Sequence, residues 1–377
     1  MPLRRVLVCT NGQAALRIVR ACHAEGVEAV AVCGEGDRSD DFAVEADLGV
    51  AVGEEPTAGR LDARQIVGLA METNCDAVHP GFDETALDGE LALAVEEAGL
   101  LWIGPPADVV GMLASPRAAR ATFADLGVPV PGDPDAAEAG RVIEMGFLVD
   151  AEGDIHLLGS RAHTVLADGA TVVEEGPALG LDPALEKRLT AAVTLVARCL
   201  GYSNAGTLRI SLDHPRGFAV VGLDPRLQPG YPLIDAVTGQ DSLRLQLRVV
   251  ADKPTDAGHL PPPAREHAVW VSLQAGSDPS VTANRLPTTD VPGAELAWNI
   301  APGRPSGGPG TRLGELLVHG PTRADALESA AAAVDALRDE KVPLANEGLG
   351  PALHRAAAAS DLADPIHLGP QTPPGTT

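Results

Sequence analysis

The segment from residue 220 to 239 has the residue types of a binding or catalytic loop. It reads VVGLDPRLQPGYPLIDAVTG and passes from an apolar run, through a polar centre broken by prolines, to a second apolar run. The centre carries a carboxylate, a guanidinium and an amide, from Asp224, Arg226 and Gln228. These groups suit a pocket for an anion or a carbonyl group that Arg226 would anchor. The alternative is an ion pair from Arg226 to Asp224 or Asp235 that fixes the loop.

Two histidines and two glutamates offer acid–base chemistry elsewhere in the chain. His79 and His163 are candidate general bases, and the alternative for each is a hydrogen-bonded structural histidine. Glu174 and Glu175 are neighbours in sequence, and neighbouring residues of a strand point to opposite faces of the sheet. We therefore expect these two glutamates to be structural rather than a catalytic pair.

A basic face is predicted on the first helix. Arg17, Arg20 and His23 are spaced i, i+3 and i+6, which places them on one side of a helix. This face is a candidate for a homodimer or partner contact, and the alternative is a solvated basic face.

Composition and charge disfavour several classes of partner. The chain has 377 residues, a formal net charge of −24 and 45% hydrophobic residues. The acidic excess disfavours nucleic acid and anionic membranes as partners. The longest apolar runs are far shorter than the roughly 20 residues that a membrane span needs. The opening MPLRRVLVCTNG has the pattern of a first strand rather than a signal peptide, so we expect a cytoplasmic protein.

The cysteine pattern predicts neither a zinc site nor a disulfide framework. The five cysteines are scattered and form no C-x-x-C pair. Cys9, Cys33 and Cys75 fall in or beside apolar runs, so buried thiols are expected at these positions. We predict no metal site from the sequence.

The first hundred residues alternate between strand and helix patterns. Predicted strands at 5–9, 27–34, 75–81 and 100–105 alternate with predicted helices at 12–26, 64–74 and 89–99. The first helix shows the spacing most clearly, with Ala15, Ile18, Val19 and Cys22 on one face. This alternation predicts a parallel sheet with helices on both of its faces.

The pattern changes after residue 130. Residues 106–130 have helical spacing, and 129–140 is rich in turn residues, which marks a boundary. Beyond it we predict short strands over 141–176 with a hairpin turn at 151–154, followed by a helix at 182–201. Two strands joined by a turn at 214–217 and a helix at about 240–252 come next. A proline-rich connector at 253–268 then leads to further antiparallel strands and a helix at 323–340.

Several segments resemble, in the same order, the signatures of biotin carboxylases. They are VLVCTNGQAALRIVRACHAEGVEAVAV, DRSDDFAVEAD, DAVHPGF, LLWIGP, TVVEEGPALGL, LGYSNAGTLRISL, DPRLQPGYPLIDAVTGQDSLRLQLRVVADKP and HAVWVSLQA. The resemblance covers about residues 1–365 with one large gap. It implies an α/β fold with a Rossmann-like N-terminal domain, a truncated ATP-grasp core without the B-subdomain lid, and a C-terminal β-rich domain of the biotin carboxylase type.

The resemblance also suggests where the domains begin and end. We place the N-terminal domain at 1–112, the truncated ATP-grasp domain at 113–255 and the C-terminal domain at 264–365. The last residues, 366–377, are predicted to be a disordered tail.

Biotin carboxylation, as the resemblance implies it, requires ATP, Mg²⁺ and bicarbonate, and the implied side chains are largely replaced. The glycine-rich lid loop that would cradle the phosphates is missing, because Gly132 leads almost directly to the strand after the lid. Arg117 stands where the family has a lysine just before the lid. The two magnesium glutamates correspond to Arg209 and Gly222, although Mg²⁺ prefers oxygen ligands. The glutamate proposed as the base for bicarbonate corresponds to Gly230, and glycine can neither take up nor donate a proton.

Other positions of the implied site are partly kept. Arg226 and Gln228 match the family's arginine and glutamine in the loop. The histidine after the base is replaced by Tyr231, the bicarbonate-binding lysine by Thr171, and a second arginine by Ala297.

These replacements predict a homologue in which ATP and Mg²⁺ binding, and therefore biotin carboxylation, are lost. The first hypothesis is a structural or regulatory role, as a homodimer or beside carboxylase subunits such as an active biotin carboxylase, a biotin carrier or a carboxyltransferase. The second hypothesis is an enzyme with new chemistry on a small carboxylate or acyl substrate. Its residual pocket would consist of Arg226, Gln228, Asp224, Arg209 and His163. The third hypothesis is residual ATP-dependent carboxylase (ligase) activity.

Overall fold

The fold is a mixed α/β fold with one parallel sheet and one largely antiparallel sheet, which confirms the predicted fold class. The structure is a computed structural model. It describes residues 3–34, 36, 40–53, 61–255, 258–260, 263–276, 286–300, 310–339, 342, 344–345, 348–359 and 364–369.

The N-terminal part is built on a parallel five-stranded sheet. Its strands are β1 (Arg5–Val8), β2 (Glu28–Cys33), β3 (Leu48–Ala51), β4 (Ala77–His79) and β5 (Leu101–Trp102). Its helices are α1 (Gly12–Ala24), α2 (Asp41–Glu45), α3 (Ala63–Glu72), α4 (Gly89–Glu97) and α5 (Ala107–Leu113). The strand order is β3-β2-β1-β4-β5, and every pair is parallel, as the alternation predicts.

Helix α1 packs its apolar face into the core. Ala15, Ile18, Val19 and Cys22 are all buried, in agreement with their helical spacing. Helix α2 and strand β3 are absent from the sequence prediction. They have five and four residues, which is too short for a periodic pattern to be recognised.

The rest of the chain forms a nine-stranded sheet. Its strands are β6 (Val142–Val149), β7 (Ile155–Ala167), β8 (Ala170–Gly176), β9 (Asn204–Ser211), β10 (Ala219–Asp224), β11 (His267–Gln274), β12 (Ala294–Trp298), β13 (Arg312–Gly320) and β14 (Ile366–Leu368). The order is β10-β9-β6-β7-β8-β11-β13-β12, and β14 adds in parallel to the end of the long strand β7. Strands β11, β13 and β12 pair antiparallel, as predicted for the C-terminal region.

This sheet runs without a break across the boundary predicted between the ATP-grasp and C-terminal domains. Trp270 of β11 pairs with Glu174 of β8, and Val271 pairs with Val173. The two predicted domains therefore share one sheet, and the domain limits remain predictions.

Seven further helices accompany the large sheet in the described part of the chain. They are α6 (Pro116–Asp125), α7 (Pro134–Ala139), α8 (Pro183–Cys199), α9 (Tyr231–Thr238), α10 (Ser242–Val250), α11 (Arg323–Asp339) and α12 (Leu349–Ala358). Helix α8 begins as predicted, because the Asp182 side chain accepts a hydrogen bond from the Leu185 N–H and Pro183 occupies the first turn. Helix α9 packs against β7, β8, β11 and β13, which brings its first residue over the middle of the sheet.

Three elements differ from the sequence prediction. Residues 129–140, predicted as turns, contain α7, which begins at Pro134 after the N-cap Asp133. The aspartates, prolines and glycines of residues 129–140 favour turns as much as the start of a helix, so the composition of this segment does not predict α7. Helix α12 was not predicted. Part of the predicted disordered tail forms β14 on β7, since strand pairing depends on a distant partner, and residues 370–377 lie outside the described residues.

The interior contains the thiols expected there. Cys9, Cys33 and Cys75 are buried, as predicted, and Cys22 is buried as well. Within the described ranges, no helix combines the length and the apolar character needed to cross a membrane.

Candidate functional site

Strands β9 and β10 carry the two positions at which the resemblance implies magnesium glutamates. Arg209 and Gly222 are direct cross-strand partners. The Nη2 atom of Arg209 lies 3.1 Å from the point that a Cβ on residue 222 would occupy. Arg209 also forms an ion pair of 3.1 Å with Glu138 of helix α7. This place on the sheet therefore presents a guanidinium with its own carboxylate partner, where a magnesium site would need a free carboxylate.

The loop after β10 is held in place by Arg226. Its Nε atom donates to Asp224 at 2.8 Å, and its Nη1 atom donates to the carbonyl oxygens of Phe82 and Asp83, both at 2.7 Å. Gln228 donates from Nε2 to the same Asp224 carboxylate at 2.7 Å. The ion pair with Asp224 is the loop-fixing role that the sequence left open as an alternative. The two carbonyl contacts also tie the loop to the segment after β4.

Gly230 is the N-cap of α9, and it lies against the Glu174 carboxylate. A Cβ on residue 230 would collide with that carboxylate. Glu174 therefore fills the space into which a glutamate at position 230 would project. The neighbouring Tyr231 is buried and packs on Phe82 with ring centroids 5.3 Å apart, so it acts as part of the core.

A buried cluster of charged residues surrounds Glu174. Arg161 forms an ion pair with Glu144, and its Nε atom lies 2.7 Å from Glu174 Oε2. The Nε2 atom of His163 lies 3.2 Å from Glu144 Oε1, and its Nδ1 atom lies 3.1 Å from the Thr171 hydroxyl. The guanidinium and the imidazole are thus both in contact with Glu144.

The register of three neighbouring strands creates this cluster. Glu144 of β6 is opposite Arg161 of β7 on one side and opposite Arg209 of β9 on the other. His163 of β7 is opposite Glu174 of β8. Directly opposite side chains share a face of a sheet, so the cluster and the Arg209 position form one continuous polar surface.

Burial and neighbouring charges shift the pKa of each group in the cluster. Burial raises the pKa of Glu174, and the charge of Arg161 offsets this only in part. Burial acts in the same direction on Glu144, but Arg161 and His163 outweigh it and lower the pKa of Glu144. Burial favours neutral His163, yet the hydrogen bond and charge of Glu144 outweigh it and raise the pKa of His163. The protonation state of each carboxylate in the cluster therefore depends on the charge of its cationic neighbours, and the reverse is also true.

Glu174 and Glu175 point to opposite faces of β8, as predicted. Glu175 accepts hydrogen bonds from the Thr164 hydroxyl at 2.8 Å and from Arg323 Nη2 at 2.9 Å. His267 Nε2 lies 3.1 Å from the same carboxylate. Because Arg323 is the first residue of α11, Glu175 anchors that helix to the sheet and has a structural role.

The basic side chains predicted on α1 are neutralised within the chain. Arg17 forms an ion pair with Glu315 of β13, and Arg20 forms one with Glu45 of α2. The Nε2 atom of His23 lies 2.9 Å from an Asp47 carboxylate oxygen. The face is therefore a set of internal ion pairs rather than a patch of free positive charge, and its role as a dimer or partner contact remains a prediction.

The remaining sequence candidates lie away from the cluster. Arg117 is exposed on α6, and Ala297 is opposite Glu315 in the β12–β13 pair. His79 is buried, and its Nδ1 atom accepts a hydrogen bond of 3.0 Å from the Gly81 N–H. Burial lowers the pKa of His79 to about 3, so it is a neutral acceptor, in line with the structural alternative.

Sequence reasoning missed three side chains of this surface, namely Glu138, Glu144 and Arg161. Glu144 and Arg161 stand within apolar strand patterns, and a charged residue in such a pattern is almost never buried without a partner. That rule alone could have identified both positions as members of a buried ion pair. Glu138 lies in the short helix that turn composition conceals.

Two family models match the chain. Residues 2–110 match the biotin carboxylase N-terminal domain. Residues 136–257 match the ATP-binding domain of the carbamoyl-phosphate synthase L chain.

Curated relatives and solved structures agree with these matches. Biotin carboxylase 2 of Bacillus subtilis (strain 168) is 25% identical over 432 residues, which covers 94% of this chain and 95% of the relative. Human mitochondrial pyruvate carboxylase is 27% identical over 316 residues, which covers 66% of this chain and 27% of that protein. The biotin carboxylase domain dimer of Hydrogenobacter thermophilus 2-oxoglutarate carboxylase, solved with MgADP, ADP and bicarbonate, superposes with a TM-score of 0.80 at 21% identity. The superposition covers 89% of this chain and 90% of that chain, and it is a likeness of fold.

Proposed function

We propose that this chain, a homologue of the biotin carboxylases, has lost ATP-dependent biotin carboxylation and serves as a non-catalytic component of a carboxylase assembly. The observation that carries the proposal is the cross-strand pair of Arg209 and Gly222. The two positions that the resemblance assigns to magnesium ligands hold a guanidinium and no side chain at all.

The charge at this position opposes magnesium binding. Mg²⁺ takes oxygen ligands in a near-octahedral arrangement and usually needs at least one carboxylate. A single positive charge 4 Å from a divalent cation repels it by about 8 kcal/mol at an effective dielectric constant of 20. Glu138 neutralises part of the Arg209 charge, but it does so by engaging the carboxylate that a metal ion would need.

The described residues between α6 and β6 leave little room for a phosphate-binding lid. Between the end of α6 and the start of β6, the described residues form only the short helix α7. Phosphoryl transfer depends on cations and backbone donors placed around the phosphates. In this chain α7 instead brings the carboxylate of Glu138 to the sheet, and a carboxylate repels phosphate groups.

The carboxylate that lies beside the position of the bicarbonate base is not free to replace it. Glu174 occupies the space beside Gly230, but its carboxylate is buried and paired with Arg161. The second hypothesis, new chemistry anchored on Arg226, receives no support from the geometry, because Arg226 already donates to Asp224 and to two backbone carbonyls.

A chain that keeps the fold and loses the reacting groups retains its surfaces. We propose that these surfaces contact another subunit of a carboxylase, either an active biotin carboxylase, a biotin carrier or a carboxyltransferase. The relatives named above are themselves carboxylases, which makes a carboxylase subunit the first partner to test.

The first experiment measures ATP hydrolysis with biotin, bicarbonate and excess Mg²⁺, with an active biotin carboxylase measured in parallel. We expect no hydrolysis above the rate without enzyme, and no heat of MgADP binding by calorimetry. Turnover that depends on both biotin and bicarbonate would disprove the loss of catalysis.

The second experiment isolates the tagged chain from its native host and identifies the proteins that remain bound at moderate salt. We expect a carboxylase subunit in stoichiometric amount. A chain that emerges alone and monomeric would contradict the assembly role while leaving the loss of catalysis intact.

A further inference from the structure

The cluster beneath α9 brings three metal-ligand side chains together. Glu144, His163 and Glu174 each offer one ligand atom, and these atoms all lie within 4.8 Å of one another. The three residues come from the adjacent strands β6, β7 and β8, so a continuous sheet holds their backbones in fixed positions.

We infer that Glu144, His163 and Glu174 form a binding site for one divalent transition-metal ion, with Zn²⁺ as the best match to the ligands. Zn²⁺ accepts imidazole nitrogens and carboxylate oxygens as ligands, and three protein ligands leave the fourth position of a tetrahedral site open. Mg²⁺ and Ca²⁺ prefer oxygen ligands only, so the histidine favours the transition metals. The site goes beyond the proposed function, because none of its ligands is a residue that the resemblance assigns to magnesium.

Arg161 supports the two carboxylates without using all of their oxygen atoms. Its contacts are with Oε2 of Glu144 and Oε2 of Glu174. The Oε1 atom of Glu144 faces His163 Nε2 at 3.2 Å. Carboxylates that bind a metal through one oxygen commonly receive a hydrogen bond or ion pair at the other, and Arg161 is placed to provide it. The Arg161 guanidinium also repels a cation, and the two negative charges of the ionised carboxylates outweigh that repulsion.

Thr171 orients the imidazole of His163. Its hydroxyl lies 3.1 Å from His163 Nδ1, which leaves Nε2 directed at Glu144. Ligating histidines usually hydrogen-bond through the nitrogen that does not bind the metal, and this bond fixes the ring and its tautomer.

Glu174 shares the positive charge of Arg161 with Glu144. Its side chain is 10% exposed, and its Oε2 atom lies 2.7 Å from Arg161 Nε in an ion pair that lacks the geometry of a hydrogen bond. Two buried carboxylates face one arginine here, and buried carboxylates are costly unless they are paired or bind a metal. A bound cation would reduce the repulsion between the two carboxylates.

The geometry requires only a modest adjustment of side chains. Ligand atoms at zinc–ligand distances of about 2.0–2.2 Å lie roughly 3.3–3.5 Å apart in a tetrahedral site. The 3.2 Å separation of Glu144 and His163 already meets this value, so Glu174 is the side chain that must move closer.

The test titrates the full-length chain with metal after removal of bound ions by EDTA and dialysis. The parent protein carries Cys199→Ser, because Cys199 is the exposed one of the five free cysteines and binds soft ions by itself. Zn²⁺ content is counted by mass spectrometry, and Co²⁺ is followed by its absorption spectrum. We expect one ion per chain, Co²⁺ bands without thiolate-to-metal transitions, and no displacement by millimolar Mg²⁺.

Variants locate the ion. His163→Gln should weaken Co²⁺ binding by at least about tenfold, and Thr171→Val, which leaves all three ligands in place, should weaken it by about 10–100-fold. The matched control is His156→Gln, since His156 is also buried and lies 2.7 Å from a carboxylate, Asp150. It should bind Co²⁺ as the parent does.

Three results would overturn the inference. They are a parent protein that takes up no stoichiometric Zn²⁺ or Co²⁺, binding that is unchanged in both His163→Gln and Thr171→Val, and displacement of Co²⁺ by Mg²⁺. Thr171→Val removes no charge, so we expect this variant to fold. It therefore tests the metal site even if His163→Gln fails to fold. None of these outcomes bears on ATP turnover, so the two proposals fail independently.

Discussion

Gly230 and Glu174 share one small volume, because a Cβ on residue 230 would collide with the Glu174 carboxylate. A side chain at residue 230 therefore requires the Glu174 carboxylate to move. Glu174 in turn is held by Arg161 and reaches the buried cluster of Glu144 and His163. Glu174 therefore links residue 230 to this internal charge cluster.

Gly230→Ala is expected to destabilise the protein by about 1–3 kcal/mol, the usual cost of inserting a methyl group into a packed site. The backbone itself accepts alanine, since the φ of Gly230 is −78°. Chemical denaturation measures the change. The control is Gly68→Ala in helix α3, where nothing lies within 4 Å of the added methyl group and alanine should stabilise by up to about 1 kcal/mol. Equal effects at both positions would show that Glu174 does not restrict residue 230.

Arg226→Ala should cost about 2–4 kcal/mol of stability, because it removes the cationic partner of the Asp224 carboxylate, which keeps its hydrogen bond from Gln228, and the donor to two backbone carbonyls. The side chain is only 17% exposed, so water does not readily replace it. Arg226→Lys retains the charge but not the forked donor geometry, and we expect an intermediate loss. If Arg226 were instead a free ligand-binding group, its removal would leave the unfolding midpoint nearly unchanged.

The sequence predicts the parts of the fold that rest on local patterns. Helix α1 and the parallel strands follow from spacing within one segment, and the turn at 151–154 follows from its residue types. The resemblance predicts that Arg209 and Gly222 occupy equivalent functional positions, and strand pairing places them opposite each other.

The buried cluster could not be predicted, because it depends on strand register. Glu144 meets Arg161 and Glu174 only when β6, β7 and β8 pair as they do, and the β7–β8 pairing shifts just after His163. A shift of one residue would turn each of these side chains to the other face of the sheet. The carbonyl partners of Arg226 are likewise more than 140 residues away in sequence.

The five cysteines should differ sharply in reactivity. Cys199 is exposed, whereas Cys9, Cys22, Cys33 and Cys75 are buried. Burial raises the pKa of the Cys22 thiol to about 12, which leaves little thiolate to react at neutral pH. A thiol-specific chromogenic reagent should modify one cysteine quickly in the native protein and all five in denaturant. Cys199→Ser should remove the fast phase, and a second fast thiol would contradict the burial of the other four.

Asp235 should make the protein less stable as the pH rises from about 4 to 7. Burial raises the pKa of Asp235 from 3.8 to about 7, and the charge of Asp241 adds to this. Hydrogen bonds from Ser242 and the charge of Arg17 act in the opposite direction but are outweighed. Since the folded state holds this proton more tightly than the unfolded state, the carboxyl group costs nothing below pH 4. The cost grows between pH 4 and 7 and is complete above pH 7.

Asp235→Asn keeps an acceptor for Ser242 and removes the charge, so it isolates this effect. The variant and the parent should have similar free energies of unfolding at pH 4, and the variant should be more stable above pH 7 by a few kcal/mol. Urea denaturation across this pH range gives the difference directly. Only the difference between the two proteins is informative, because other groups titrate in both. A difference that stays constant with pH would show that Asp235 is already ionised in the folded protein at pH 4.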